Sequence, residues 1–364
     1  MNRELDLGTL VSYGWDDYFS ALLREYSGEG EAVGRVVAEY AGAYVVRAAE
    51  GEYGVRVSGR LRHESRGDPA NLPAVGDWVV FARPGGDGRG LGMIHGVLPR
   101  RTKLSRRAAG AEATEQVIAA NVDVVFVVSA LGQDLNLRRI ERYLATVWEG
   151  GATPVLVLTK TDLADDLQAA RAAVEPVAGL VDVRAVSALT GEGLSDLDAY
   201  LNPGRTLALI GSSGVGKSTL VNYWLGKNVQ EVLDVREDGK GRHATTHRQL
   251  FVLPSGALVI DTPGMREVGL WGAERGVEEA FPEIQELAHH CRFRDCRHEG
   301  EPGCAVREAV EQGRLSQDRL EAFRKLRREL EDSAARREVQ SRREKRRKER
   351  RMAKEIRRTP KKRR

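Results

Sequence analysis

The sequence has few cysteines and no long apolar run. Its 364 residues include three cysteines, too few for the disulfide framework of a secreted domain. No apolar run approaches the roughly 20 residues that cross a bilayer. The polar, acidic start MNRELDLGTL lacks the basic and apolar parts of a secretion signal. We therefore expect a soluble chain with no membrane contact and a cytoplasmic location.

Aromatic residues are absent from the strongly basic C-terminal tail. Residues 336–364 contain 17 Lys/Arg against four Glu, a net charge of +13, whereas the whole chain carries +4. The basic charge therefore belongs to the tail, which indicates a polyanionic partner. The tail has helix-forming residues but almost no apolar stripe, so we expect a solvated, partly helical arm. Because it offers no ring for base stacking, this arm should contact RNA through the phosphates. A disordered solubility tail is the alternative.

Changes of sequence pattern divide the chain into regions. From about residue 31 to 104, short apolar runs such as AYVVRAA and DWVVFAR alternate with Gly, Pro and Asp, which predicts a small antiparallel barrel. An oligonucleotide-binding (OB) barrel of five strands fits, and an SH3-like barrel would look similar. From about 121 to 270, apolar strands alternate with amphipathic helices, which indicates a parallel α/β sheet. The expected regions are an N-terminal extension (1–30), an OB-fold barrel (31–108), an α/β domain (109–272), a mainly helical domain (273–335) and the tail (336–364).

The strongest motif is GSSGVGKST at residues 211–219, which matches G-x4-G-K-[ST]. It follows the apolar strand LALI and precedes a helical stretch, the context in which such a loop binds phosphate. Its glycines let backbone N–H groups surround phosphate oxygens, while Lys217 reaches the β- and γ-phosphates and Ser218 binds Mg²⁺. The candidate nucleotide ligands here are Gly211, Ser212, Ser213, Gly214, Val215, Gly216, Lys217, Ser218 and Thr219.

Two later segments complete a predicted γ-phosphate site. In ALVIDTPG, Asp261 ends an apolar strand and is placed to reach the magnesium shell, while the Gly264 N–H can meet the γ-phosphate. The polar stretch GKGRHATTH, residues 239–247, suits a loop whose threonine senses Mg²⁺ and the γ-phosphate. Thr245 is the first candidate and Thr246 the second. The expected magnesium ligands are Ser218, Thr245 and Asp261.

An acidic side chain that reads guanine is predicted in VLVLTKTDL. Asp162 can accept hydrogen bonds from the N1–H and amino group of guanine, and Lys160 can pack along the purine plane. Thr159 stands where such motifs usually carry Asn, so one tethering amide is missing. Twenty-five residues after Asp162, Ser187 and Ala188 follow a short strand, where a backbone N–H can meet the base O6.

The order of these motifs is a circular shift of the usual GTPase order. The base-reading elements come before the phosphate loop, yet each loop still follows its own strand, which is what a site at strand ends requires. Together with PAVGDWVVF, VLPRRTKLSRR, GRHATTHRQL and DTPGMRE, this order resembles the ribosome small subunit-dependent GTPases (RsgA). The resemblance implies an N-terminal OB-type barrel, a central circularly permuted α/β P-loop GTPase domain and a C-terminal, mainly α-helical zinc domain with a basic helical tail.

The residue that orients the attacking water is not the usual glutamine. Met265 follows DTPG at that position and cannot usefully hydrogen-bond water. His243, two residues before Thr245, is the candidate water-positioning group, and it matches the histidine that the RsgA family carries there. An exposed loop histidine is the alternative. The expected catalytic residues are His243, Lys217 and Thr245.

The three cysteines lie within fourteen residues and are joined by a histidine. The spacing is Cys291-x4-Cys296-x-His298-x5-Cys304, and three thiolates with one imidazole form a closed, structural zinc shell. His289 or His290 could replace His298 as the fourth ligand. The pattern of the RsgA family favours His298. Free thiols are the remaining alternative.

These features lead to one expected function and two alternatives. We expect a GTPase that binds GTP/GDP with Mg²⁺ and carries one structural Zn²⁺. The resemblance implies that it acts on the small ribosomal subunit and its rRNA late in subunit maturation, with subunit-stimulated hydrolysis timing its release; we expect a monomer. The alternatives are an RNA-binding assembly scaffold that uses the nucleotide site as an occupancy sensor, and a P-loop ATPase or kinase.

Overall fold

The computed structural model describes nine ranges of the chain. They are residues 8–26, 32–40, 42–66, 68–85, 90–107, 114–132, 135–226, 248–261 and 274–358. No helix in these ranges is both long and apolar enough to cross a bilayer.

Five strands near the N-terminus form a closed barrel. They are β1 (Ala32–Tyr40), β2 (Ala43–Ala48), β3 (Gly51–Val57), β4 (Trp78–Ala82) and β5 (Gly92–Val97). Their order is β1-β2-β3-β5-β4, and β4 pairs back onto β1. β3 and β5 are parallel and the other pairs are antiparallel. Helix α2 (Gly59–Glu64) follows β3. The five-stranded OB-type barrel that the sequence predicted is confirmed.

The preceding segment packs against the outer face of β1 and β4. A 3₁₀ helix (Gly8–Tyr13) leads into α1 (Asp17–Glu25), whose first turn is capped by the Asp16 side chain. The Trp15 and Trp78 rings meet edge to face with centroids 4.7 Å apart. Phe19 is buried beside them, so this part of the predicted N-terminal extension forms a separate apolar cluster with outward-facing barrel residues.

The second unit is a six-stranded sheet. Its strands are β8 (Val124–Ala130), β9 (Thr153–Thr159), β10 (Asp182–Ala185), β11 (Thr206–Ile210), β12 (Arg248–Val252) and β13 (Leu258–Asp261), in the order β10-β9-β8-β11-β13-β12. β12 is antiparallel to β13, and the other pairs are parallel. β11 therefore lies at the centre, where connections leave in both directions and ligands bind at strand ends.

Helices cover both faces of this sheet. Val125 and Val127 of β8 pack towards α3 (Leu137–Glu149) and α4 (Leu167–Ala178). Phe126 and Val128 point to the other face, towards α5 (Lys217–Leu225) and a 3₁₀ helix (Leu194–Tyr200). Because alternate strand residues point to opposite faces, a strand buried on both faces is apolar throughout, as VVFVV is. Another 3₁₀ turn (Thr161–Leu163) follows β9.

The barrel and the sheet share a strand ladder. The last residues of β1 pair antiparallel with β12, with Ala38 opposite Gln249 and Glu39 opposite Arg248. Arg248 also forms a 2.7 Å ion pair with Glu39. The pairing of β1 with β12 makes the barrel and the six-stranded sheet one 11-stranded sheet. The pairing of β1 with β2 shifts register between Val36 and Ala38, as at a β-bulge. A separate hairpin pairs β6 (Lys103–Arg107) with β7 (Glu115–Ala120).

The C-terminal region is helical. It contains α6 (Glu274–Ala280), α7 (Pro282–Ala288), α8 (Ala305–Glu311) and the 42-residue α9 (Gln317–Arg358). Leu320, Phe323, Leu326 and Leu330 form a buried stripe on the first part of α9, at the spacing of an amphipathic helix. After Leu330 the described side chains are exposed or half-buried, so the helix leaves the core as it enters the basic segment.

Candidate functional site

The predicted phosphate loop joins β11 to α5 at the centre of the sheet. Gly211, Gly214 and Gly216 all have positive φ, of 151°, 77° and 100°. A Cβ on Gly211 would lie 2.2 Å from the Val128 carbonyl oxygen, so only glycine fits between this loop and β8. Gly216 is the N-cap of α5. The loop therefore presents the N-terminus of a helix, where backbone N–H groups favour an anion.

The loop lysine lies across the loop. The Lys217 ammonium donates to the carbonyl oxygens of Gly211 and Ser212, at 2.8 and 2.5 Å. These contacts place the positive charge at the helix N-terminus, where phosphate oxygens would be bound. Asp261 is the last residue of β13, which runs parallel to β11. It therefore lies at the same end of the sheet as the phosphate loop, where the parallel strands terminate.

The predicted base-reading residues lie together at the ends of β9 and β10. The Ser187 hydroxyl donates to an Asp162 carboxylate oxygen at 2.5 Å and accepts from the Thr190 N–H at 3.2 Å. Ser187 is fully buried whereas Asp162 is exposed. The buried hydroxyl therefore orients the Asp162 carboxylate and leaves its other oxygen to face a ligand. Ala188 follows at the same strand end.

Thr159, at the end of β9, connects this strand to the predicted phosphate loop. Its hydroxyl donates to the Val215 carbonyl oxygen at 2.5 Å, and the Ser129 carbonyl lies 3.4 Å away. The side chain is 2% exposed. A hydroxyl in this position thus supplies the tether that the sequence, read without the fold, suggested was missing. The adjacent Lys160 is left-handed, with φ of 59°, which turns the chain sharply after β9.

The cysteine cluster forms a second site, between α7 and α8. Nδ1 of His298 lies 3.6 Å from the sulfur of Cys291 and 3.5 Å from that of Cys304, and those two sulfurs are 4.0 Å apart. All four ligand atoms, with that of Cys296, lie within 4.8 Å of one another. A tetrahedral zinc site has S···N edges of about 3.5 Å and S···S edges of about 3.8 Å. The cluster fits a structural zinc ion.

Burial shifts the pKa values of two of the four candidate ligands. Burial raises the pKa of the Cys296 thiol to about 12, so its thiolate needs a cation beside it. Burial lowers the pKa of His298, assisted by Arg327, which keeps the imidazole neutral. His289 and His290 are exposed and lie outside the cluster. The structure therefore selects His298 among the three candidate histidines.

A carboxylate shapes the zinc-binding loop. Glu301 accepts hydrogen bonds from the N–H groups of Arg297, Glu299 and Gly300 at 2.8 to 3.0 Å. These donors, with that of Gly300 the strongest, lower the pKa of the Glu301 carboxyl to about 2. These hydrogen bonds support the turn that carries His298.

Known proteins resemble this chain over most of its length. The family model for the RsgA GTPase matches residues 97–271. The small ribosomal subunit biogenesis GTPase RsgA of Opitutus terrae is 49% identical over 90% of this chain and 91% of its own length. That of Streptomyces coelicolor is 45% identical over 92% and 90%. The chain belongs to the RsgA GTPase family.

Two solved structures carry the same architecture. The crystal structure of YjeQ from Thermotoga maritima aligns with a TM-score of 0.60 at 30% identity, covering 82% of this chain and 98% of that one. The structure of YloQ, a circularly permuted GTPase, aligns with a TM-score of 0.56 at 25% identity, covering 83% and 95%. The circular permutation inferred from the motif order is confirmed for this RsgA GTPase.

Several predicted residues of the RsgA GTPase lie outside the described ranges. They are His243, Thr245, Thr246, Gly264 and Met265. Sequence reasoning also missed a contact inside the described part, in which Arg139 of α3 donates to the Ser212 hydroxyl of the phosphate loop. The hydrophobic pattern of RRIERYLATVWEG predicts an amphipathic helix. It does not indicate that one of the arginines contacts the phosphate loop.

Proposed function

We propose that this chain hydrolyses GTP during small ribosomal subunit biogenesis, with the subunit raising the rate and hydrolysis timing release of the protein. One observation carries this proposal. The predicted phosphate loop, Asp261 and the predicted base-reading residues lie at the carboxyl ends of the parallel strands β11, β13, β9 and β10, which supports one shared nucleotide site. The names of the relatives from Opitutus terrae and Streptomyces coelicolor supply the biological setting. Late subunit maturation is the proposed stage.

The nucleotide would be held by residues from four strand ends. In this proposal Asp162 reads guanine, Lys160 packs on the base, and the backbone at Ser187 and Ala188 meets O6. The phosphates lie against the N-terminus of α5, with Lys217 on the β- and γ-phosphates. The remaining nucleotide ligands are Thr159, Gly211, Ser212, Ser213, Gly214, Val215, Gly216, Ser218, Thr219 and Gly264.

A magnesium ion would be held by Ser218, Thr245 and Asp261. These oxygen ligands suit that ion, which neutralises charge on the phosphates when it is bound. Thr245 would also sense the γ-phosphate, with Thr246 as the second candidate. His243 is the proposed residue that positions the attacking water, since Met265 cannot do so.

The basic part of α9 would bind rRNA through phosphates. The described start of this segment is an exposed continuation of α9, and 17 basic side chains follow residue 335. Such an arm binds RNA with little regard to base sequence. All candidate nucleotide and zinc residues come from one chain, so we propose that it acts as a monomer. Its proposed location is the cytoplasm, where the subunit is assembled.

The test is phosphate release with and without purified small subunits. We expect slow release from GTP alone and a large increase when small subunits are added, with ATP giving neither. Binding of GTP and of subunits without stimulated release would instead favour the assembly scaffold. Equal turnover of ATP would refute guanine specificity and favour a P-loop ATPase or kinase.

A further inference from the structure

Arg139 joins the phosphate loop to the neighbouring helix. Its guanidinium donates to the Ser212 hydroxyl, and its own backbone N–H is held at 3.0 Å by the N-cap side chain of Asn136. Arg139 therefore lies in the capped first turn of α3, which fixes the direction from which it reaches the loop. Its side chain is half-buried.

The same two turns of α3 bind the zinc domain on another face. Arg138 donates to the Asp318 carbonyl oxygen at 2.8 Å. Arg142 contacts both carboxylate oxygens of Glu329 at 2.8 Å. These partners lie on α9, so the helix that contacts the phosphate loop is also held by the helix that leaves the zinc domain core.

A buried ion pair is the centre of this second contact. Glu141 of α3 and Arg319 of α9 are 3% and 8% exposed, and their charged atoms are 3.0 Å apart. Arg319 also bonds Glu283 and the Ala280 carbonyl oxygen, both at 2.6 Å, and lies 4.0 Å from the centre of the Phe281 ring. Removing either partner would leave the other buried charge without compensation, which is strongly destabilising.

Close backbone packing adds to the constraint on α3. A Cβ on Gly276 of α6 would lie 1.9 Å from the Ala145 carbonyl oxygen. The Gly276 N–H donates to Glu149 at 3.0 Å. α3 therefore contacts α6 and α9 of the zinc domain along its length, while its first turn contacts the phosphate loop through Arg139.

We propose that Arg139 is a positioning residue for nucleotide binding, through which the docked zinc domain sets the geometry of the phosphate loop. α3 acts as a rigid connection: the Glu141–Arg319 pair fixes its orientation at one face, and Arg139 transfers that orientation to Ser212 at the other. A continuous chain of packed and hydrogen-bonded groups of this kind can carry energetic coupling between two sites. The inference rests on the proposed GTPase function of the loop.

The first experiment tests the local contact by GDP and GTP affinity. We expect Arg139→Ala and Ser212→Ala each to weaken GDP binding about five- to tenfold, the effect of removing one partly exposed charged hydrogen bond. The double variant should be no weaker than either single one, since both remove the same contact. Arg139→Lys should recover part of the affinity. Zinc content and the melting temperature should stay unchanged in all four.

The second experiment tests the connection to the zinc domain. Arg319→Met removes the buried charge from α9, and we expect it to weaken GDP binding at least threefold in the unsubstituted chain but not in the Arg139→Ala background. Arg307→Ala is the control, because within the described ranges this zinc-domain arginine pairs only with the exposed Glu311. If Arg319→Met does not fold, Arg142→Gln perturbs the same face through its half-exposed pair with Glu329.

The outcomes separate this inference from the proposed function. An unsubstituted chain that binds no guanine nucleotide would refute the function itself. Guanine nucleotide binding that Arg139→Ala leaves unchanged would overturn only the role of Arg139. An effect of the α9 variants that is equal with and without Arg139 would show that the zinc domain does not act through this residue, and the inference would be wrong.

Discussion

Replacing Thr159 with valine should weaken nucleotide binding by a predictable amount. The substitution keeps the side-chain shape but removes the hydroxyl that bonds the Val215 carbonyl oxygen at 2.5 Å in a site that is 2% exposed. A neutral hydrogen bond contributes about 1 kcal/mol, and a carbonyl left unpaired costs about 1 to 3 kcal/mol. We therefore expect a loss of about 2 kcal/mol.

If the substitution destabilises only the GDP-bound state, this loss of free energy makes GDP binding about 30-fold weaker. Any part that falls on the free protein lowers the free energy of unfolding instead. Titration with a fluorescent GDP analogue and urea unfolding, performed on the same samples, measure both parts. Thr159→Asn is the matched control, because its amide can reach the same carbonyl and should keep affinity within about threefold.

The reasoning would be refuted by a folded Thr159→Val protein with unchanged affinity and unchanged unfolding. Such a result would mean that the phosphate loop holds its shape without the tether. A loss in both Thr159→Val and Thr159→Asn would point to packing rather than to the hydrogen bond.

Four further predictions concern the rest of the molecule. Asp162→Asn should weaken GDP binding about 100-fold and leave competition by ATP unchanged, in a nucleotide competition assay. Cys291→Ser should reduce bound zinc from about one ion per chain to near zero by metal analysis. His243→Ala should slow subunit-stimulated phosphate release by about 100-fold at unchanged GTP affinity. Truncation after residue 335 should lower the slope of log affinity for RNA against log salt by about 0.7 to 0.9 for each phosphate that the arm neutralises; equal slopes would exclude the arm from binding.

Much of the architecture could be predicted because it depends on local patterns. VVFVV is apolar throughout since β8 is buried on both faces, and the phosphate loop needs glycine wherever φ is positive. The candidate zinc ligands Cys291, Cys296, His298 and Cys304 lie within one short segment, so the spacing of the cysteines indicated the site, whereas the choice of His298 came from the resemblance to the family. The circular permutation could be recognised from the order of the motifs, because each motif still follows the strand to which it belongs.

Contacts between distant segments could not be predicted in the same way. The hydroxyl of Thr159 reaches a carbonyl 56 residues away, and Arg139 reaches a hydroxyl 73 residues away. Nothing in the local sequence separates Arg139 from Arg138, although one contacts the phosphate loop and the other α9. Their difference follows from helix rotation relative to neighbours, which is set only when the domains pack.

The ladder between β1 and β12 gives the barrel a second role, as protection for an edge. β12 is one of the two outer strands of the six-stranded sheet and carries the apolar run LFV. The barrel pairs with β12 at Arg248 and Gln249. With the barrel removed, the backbone N–H and C=O groups of these two residues would lengthen the open edge on which other chains could add strands. A shortened protein that begins at the GTPase domain would therefore be prone to aggregate. The barrel therefore completes the architecture and also limits strand addition at this end of the sheet.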